Sequence, residues 1–125
     1  MKNIVMIQEN KELLLKDLCA RLPYKVYAQI SDEYCDYTSA IESIDLDGFV
    51  KDFEGVQIEI ENIKPYLFPM SSMTEEQKKE EYEICKGYIN GYELNLIDFY
   101  NRNHIDCRGL ISKGLALDAT GKNIY

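Results

Sequence analysis

The chain has 125 residues, 46% of them hydrophobic and 29% charged, with a formal net charge of −8. A chain of this length buries about two thirds of its unfolded surface in one domain, and its composition is that of a folded protein rather than a disordered one. The acidic excess argues against an extended contact with nucleic-acid phosphates, which requires a basic face and counterion release.

The early apolar run Ile4 to Ile7 is too short for a signal-peptide core or a membrane span, so the expectation is a soluble, unexported, cytoplasmic protein. Asn10 can cap a helix over 10–22, whose apolar positions Leu14, Leu15, Leu18, Cys19 and Leu22 recur at three and four residues; Pro23 stops it. A β meander is predicted over 24–62. Tyr24, Val26, Ala28 and Ile30 alternate with polar or amphipathic residues as a first strand. The polar cluster from Ser31 to Asp36 reads as a loop, and a second strand runs from about Tyr37 to Leu46. Ile41 and Ile44 break its alternation, which requires a bulge or an end there. Asp47-Gly48 gives a hairpin turn, Phe49 to Phe53 a third strand, and Val56, Ile58 and Ile60 the most regular strand of the set.

Two of the three prolines then fall in a junction over 63–74, Pro65 and Pro69, where neither a central strand nor a helix is expected to run through. Thr74-Glu75-Glu76-Gln77 forms a capping box that opens a helical part over 75–116, with Tyr82, Cys85 and Ile89 as the first apolar stripe. Gly87 and Gly91 break that helix; a second one buries Leu96, Ile97, Phe99 or Tyr100; a third, short one passes through Leu110 and Ile111 to Gly114. The tail over 117–125 is expected to be irregular. The fold class is therefore α+β: an N-terminal helix, a small antiparallel meander of four strands, and two to three C-terminal helices. Short strands and tight turns favour closure of the meander into an SH3-like barrel over an open sheet.

Three segments together resemble a family of short, uncharacterised proteins from gut bacteria and their phages and mobile elements. They are Asp17 to Tyr24, Ile63 to Leu67 with Ser71 to Thr74, and Arg108 to Ile111 with Lys113 to Ala116. With their spacers they cover about Lys11 to Tyr125. The resemblance implies a context of mobile genes and carries over no catalytic residue. The chain departs from the family pattern at Lys25, where glycine is commoner, and at Cys107, where an aromatic is commoner.

Chemistry-bearing patterns are sparse. His104 to Arg108 holds the lone histidine beside a carboxylate, a thiol and a cation, and on paper a Cys-His nucleophile pair. The plainer reading has Asp106 capping the last helix, Arg108 paired with a carboxylate, and His104 on the surface or against the core. The four cysteines, Cys19, Cys35, Cys85 and Cys107, have no CxxC spacing and read as reduced thiols packed among apolar residues. No phosphate-cradling glycine loop occurs, and no cofactor is expected. Ten tyrosines without a tryptophan suit a recognition surface, since each ring offers an apolar face and a polar tip. The candidate binding residues are Tyr24, Tyr27, Tyr66, Leu67, Phe68, His104 and Arg108. These observations suggest a non-enzymatic protein-binding or accessory protein, monomeric or homodimeric, with no nucleic acid or membrane as partner. The alternatives are an acidic mimic of DNA, drawn from the carboxylates of Glu42 to Glu61, and a small hydrolase using Cys107 and His104.

Overall fold

A computed structural model describes residues 6–31, 33–45, 47–86 and 92–125. Helix α1 spans Gln8–Arg21 and buries Leu14, Asp17, Leu18 and Arg21. It starts two residues before the expected cap: Ile7 is the N-cap and has no side-chain cap bond, so Asn10 lies inside the helix. Pro23 turns the chain through a short 3-10 segment, Leu22–Tyr24, closed by Lys25 in the left-handed region at φ 59°.

One sheet follows, with strands β1 (Tyr27–Ser31), β2 (Asp36–Ile44), β3 (Val50–Asp52), β4 (Gln57–Ile58), β5 (Ile63–Leu67) and β6 (Leu117–Asp118) in the order β4-β3-β2-β1-β5-β6. All neighbours are antiparallel except β5 and β6, which run parallel. The α+β class stands, but the sheet is open and does not close into a barrel. After β4 the chain crosses from one edge of the sheet to the far side of β1, so its ends are separated by the whole width of the meander.

That crossing explains the shortest strand. The regular alternation at Val56, Ile58 and Ile60 yields only two paired residues, after which a 3-10 turn at Ile60–Asn62 redirects the chain toward β5. Ile58 and Ile60 still reach the core, and Val56 stays half exposed. The bulge expected in β2 is present, as a register shift between Ile41 and Ser43. Asp45 builds the following turn by accepting the amides of Asp47 and Phe49 on its Oδ1 at 2.9 and 3.0 Å.

The first half of the proline junction is a strand inside the sheet, contrary to the sequence reading. Pro65 faces Ala28 in the β1–β5 register. Ile41 donates to the Val26 carbonyl at 3.0 Å, so Val26, Ala28 and Ile30 turn their main-chain groups toward β2 and the residues between them turn theirs toward β5. Pro65 therefore sits at a non-hydrogen-bonded position opposite Ala28, with its ring nitrogen directed away from β1. Pairing with β6 begins only at Tyr66, and no ladder donor is missed.

The capping box forms as read: Thr74 Oγ1 accepts the Gln77 amide at 3.1 Å and Gln77 Oε1 accepts the Thr74 amide at 2.9 Å. It opens α2 (Glu75–Lys86), which packs against α3 (Tyr92–Arg102). The expected stripe on α2 is not buried, because Tyr82 and Cys85 are exposed; Ile89 and the break at Gly87 and Gly91 lie outside the described residues. Polar contacts hold α2 instead, from Tyr100 to Glu81 at 2.5 Å and from Arg102 to Glu80 at 2.7 Å. On α3, Phe99 is fully buried and Ile97 is exposed. A chain of turns replaces the third helix. Its cap is nonetheless the predicted one: Asp106 accepts the Leu110 and Ile111 amides at 2.7 and 2.9 Å.

The tail is ordered rather than irregular, since Leu117 and Asp118 form β6 and the Ala119 amide donates to the Leu67 carbonyl at 2.8 Å. Leu14, Leu18, Val26, Ile30, Ile63, Leu67, Leu110 and Leu115 belong to one apolar core between α1, the sheet and the final turns. No disulfide forms among the described residues, and Cys19, Cys35 and Cys85 lie at the surface rather than in the core.

Candidate functional site

The helical spacing of Asp17 and Arg21 puts both side chains on the core face of α1, where each is fully buried. Arg21 grips Asp17 in a fork, Nε to Oδ2 at 2.9 Å and Nη2 to Oδ1 at 3.1 Å. Its remaining donors reach the Ile105 carbonyl at 2.6 Å and the Tyr100 carbonyl at 3.4 Å. Arg108 adds a second cation, with Nη1 2.7 Å from Asp17 Oδ1 and 3.2 Å from Asn101 Oδ1. Asp17 is thereby shared by two guanidiniums, and Arg21 ties α1 to the carboxyl end of α3. Buried charges are tolerated only when paired and hydrogen-bonded in this way.

That end of α3 places His104. The Ile105 amide returns to the Tyr100 carbonyl at 2.8 Å and the His104 amide to the Asn101 carbonyl at 3.1 Å, with His104 left-handed at φ 56°. This is a Schellman closure, in which an αL residue ends the helix and the next, apolar residue packs inward. Phe68 donates to the His104 carbonyl and accepts from the Asp106 amide, both at 2.8 Å. His104 is 7% exposed, and its Nδ1 is buried with no partner. Burial foremost, then the positive charge of Arg21, lowers its pKa to about 4, offset in part by the backbone of Tyr24 and by Asp17.

Against that imidazole lies Tyr125, stacked at 3.8 Å between ring centroids with 15° between planes. Tyr27 meets the Tyr125 ring edge-on at 5.6 Å and Phe68 meets it tilted at 5.9 Å. The Tyr125 hydroxyl accepts the Tyr27 amide at 3.0 Å and donates to the Tyr66 carbonyl at 2.8 Å. A phenol thus bridges β1 and β5 where their direct ladder ends. Tyr125 as a residue remains 43% exposed, but burial around its hydroxyl pushes the phenol's pKa well up.

The predicted binding residues separate accordingly. Tyr27, Phe68 and His104 converge on Tyr125, and Tyr66 joins them through its carbonyl. Leu67 is fully buried and Tyr66 is 8% exposed; β5 lies between two strands, so these side chains pack in the interior instead of presenting a surface. The Tyr24 side chain is separate, its hydroxyl bonded to the Asp98 carboxylate, although its backbone meets the His104 imidazole. Arg108 is committed to Asp17. The pattern reading missed Asp17, Arg21 and Tyr125. The first two were legible as an i, i+4 pair beside Leu14 and Leu18, whereas nothing local marks Tyr125 as a residue that returns to the sheet.

A second feature lies on the sheet itself. Lys25, Tyr27, Thr38, Ala40, Phe53 and Glu54 border a groove of about 360 Å³ that reaches from β1 across β2 to the end of β3. Phe53 is 67% exposed there. Asp52 is committed beneath it: Oδ2 accepts the Tyr37 hydroxyl at 3.0 Å, and Oδ1 accepts the Glu54 and Val56 amides at 3.0 and 2.8 Å.

The thiol and imidazole shifts run against nucleophile activation. Burial pushes the Cys107 pKa up despite the nearby Arg108 and Arg21, while His104 is driven toward its neutral form. A thiolate and imidazolium pair needs the opposite shifts. Among the described residues, no three His, Cys, Asp or Glu side chains converge as metal ligands, and no helix is long and apolar enough to cross a membrane. Comparison with family models, curated proteins and solved structures gives no match.

Proposed function

We propose that this is a non-enzymatic, cytoplasmic accessory protein that acts by binding another protein, encoded by a phage or other mobile element. The observation that carries the binding role is the groove beside β2, where the exposed Phe53 and the half-buried Tyr27 flank polar main chain. Aromatic rings of this kind supply contact area at low cost in side-chain entropy. The charged cluster has a structural explanation by contrast, because Asp17, Arg21 and Arg108 satisfy one another and local carbonyls.

The mobile-element reading rests on the resemblance carried by the three segments. All three segments of the resemblance contribute to the same core, through Leu18, Ile63, Leu67, Leu110, Leu115 and Ala116, and Arg108 of the last segment pairs with Asp17 of the first. Lys25, where the family more often carries glycine, is left-handed, a conformation that glycine adopts without strain.

Tagged protein expressed in its native host tests the binding role. Wild type and His104→Gln are expected to retain a common stoichiometric partner, which Phe53→Asp loses. Equal recovery by wild type and Phe53→Asp, or no stoichiometric partner with wild type, would contradict the role assigned to the groove.

A further inference from the structure

We infer that the groove takes an extended segment of the partner protein, which adds as a strand to the free side of β2 through basic and β-branched side chains. This rests on the protein-binding reading above and names the kind of partner. The argument begins with direction along β2. Ile41 donates to Val26 on β1 at 3.0 Å, and main-chain groups alternate sides along a strand. Ser39 therefore points its amide and carbonyl at β1, while Asp36, Thr38 and Ala40 point theirs the other way.

Strand β1 covers Asp36 to Ala40 on one side, from Tyr27↔Ala40 to Ser31↔Asp36. On the other side, β3 pairs only from Ile41↔Asp52 onward. Ser39 marks where β3 departs: its Oγ accepts the Phe53 amide at 3.3 Å and donates to the Ala40 carbonyl at 3.0 Å. Among the described residues, no strand pairs with the main-chain groups of Asp36, Thr38 or Ala40 on that side. The groove lies along this stretch, with Phe53 and Glu54 on one side and Lys25 and Tyr27 on the other. It joins the main-chain groups of Asp36 and Thr38 and the Ala40 amide, which no described strand pairs on that side, to a slot for a neighbouring chain, as strand addition requires.

Charge selects the occupant. Asp36, Glu42 and Glu54 are exposed acids on or beside this stretch, against two bases, Lys25 and Lys51, and the whole chain carries −8. Two copies pairing edge to edge would bring those carboxylates together at a cost. A partner strand with alternating lysines and β-branched residues would instead place cations against them.

The probe is a capped heptapeptide of alternating lysine and valine, compared with its glutamate–valine counterpart and with a form N-methylated at alternate amides. The expected result is slowed amide exchange at Thr38 and Ala40 with the lysine peptide. Its binding should weaken about tenfold or more on N-methylation, on exchange of lysine for glutamate, and in Thr38→Pro. Thr38→Pro removes a donor facing away from β1, and its amide spectrum is to match wild type away from β2 for the result to count; the N-methylated peptide provides the same test without altering the protein.

Equal affinity for the N-methylated or acidic peptide would overturn the inference. So would protection mapping elsewhere, or no response at Thr38 and Ala40 at millimolar peptide. A concentration-dependent dimer protecting those amides without peptide would assign the edge to a second copy instead. A host partner whose cross-links avoid β2 would end the strand inference and leave the binding role standing.

Discussion

Arg21 shows how much one side chain can hold together. It is fully buried beside Asp17, and its four donor contacts span α1, the end of α3 and the following turn. Arg21→Met should lower stability by about 3–5 kcal/mol, because Asp17 then keeps only Arg108 as a cationic partner and two carbonyls lose their donor. The double change Asp17→Leu with Arg21→Met should recover part of that loss, since it removes the stranded carboxylate as well. Denaturant unfolding distinguishes the cases, and strictly additive losses would contradict this view of the cluster. Lys25 offers a gain: Lys25→Gly relieves the left-handed backbone and should raise stability by about 0.5–1 kcal/mol after the greater unfolded-state entropy of glycine is counted.

His104 gives the fold a pH signature. Its pKa falls from the ordinary 6.5 to about 4 on folding. As pH drops through that window the unfolded chain takes up a proton that the folded chain refuses. Stability declines by about 2 kcal/mol across the window once partial solvent screening is allowed for. The folded carboxyls of Glu61 and Asp118, held low first by the bond to Lys11 and by Thr120 respectively, lose their contributions at still lower pH. Cys107 has the opposite sign: its raised pKa stabilises the neutral thiol below the ordinary value of 9.0, a contribution lost on further alkalisation. Unfolding midpoints at pH 7 and pH 4.5 should differ less in His104→Phe than in wild type; an unchanged difference would remove His104 as the cause.

At the scale of elements, the least anchored piece is α2. It buries no residue and is held by its capping box and by polar bonds to α3. Thr74→Ala should cost about 1 kcal/mol of helix stability, and amide exchange in α2 should outpace that in β1 by several orders of magnitude. Similar protection in both elements would refute this ranking. Its capping box was legible in sequence because the chemistry is local. So were α1, the bulge in β2, the turn at Asp47-Gly48 and the cap at Asp106. The errors have one physical source, which is that pairing between distant segments is invisible to local pattern. Pro65 argued for a junction until its partner Ala28 was known to face it at a position needing no donor. Ile58 and Ile60 alternate cleanly, yet the chain must leave the sheet there to reach the far side of β1. Tyr82 and Cys85 hold apolar spacing on a helix that buries none of its residues.

For the molecule as a whole, the sheet closes on its tail instead of on itself. Tyr125 carries the last described contact back to its centre, linking β1, β5 and His104. Tyr125→Phe strands the Tyr27 amide and the Tyr66 carbonyl and should cost about 1–2 kcal/mol; Tyr125→Ala also removes the stacked ring and should cost about 2–4 kcal/mol. Equal losses for the two would mean that the ring adds nothing. Tyr27 belongs both to this closure and to the groove, so loosening the tail should also weaken capture of a partner.

The most direct measurement of the binding role is site-specific photocross-linking in the native host. A photoreactive phenylalanine analogue is placed at Phe53 in the groove or at the exposed Glu76 on α2. A discrete adduct from position 53, absent from position 76 and lost in Thr38→Pro, is the predicted result. Adducts of equal yield from both positions, or a discrete adduct from position 76 alone, would contradict it.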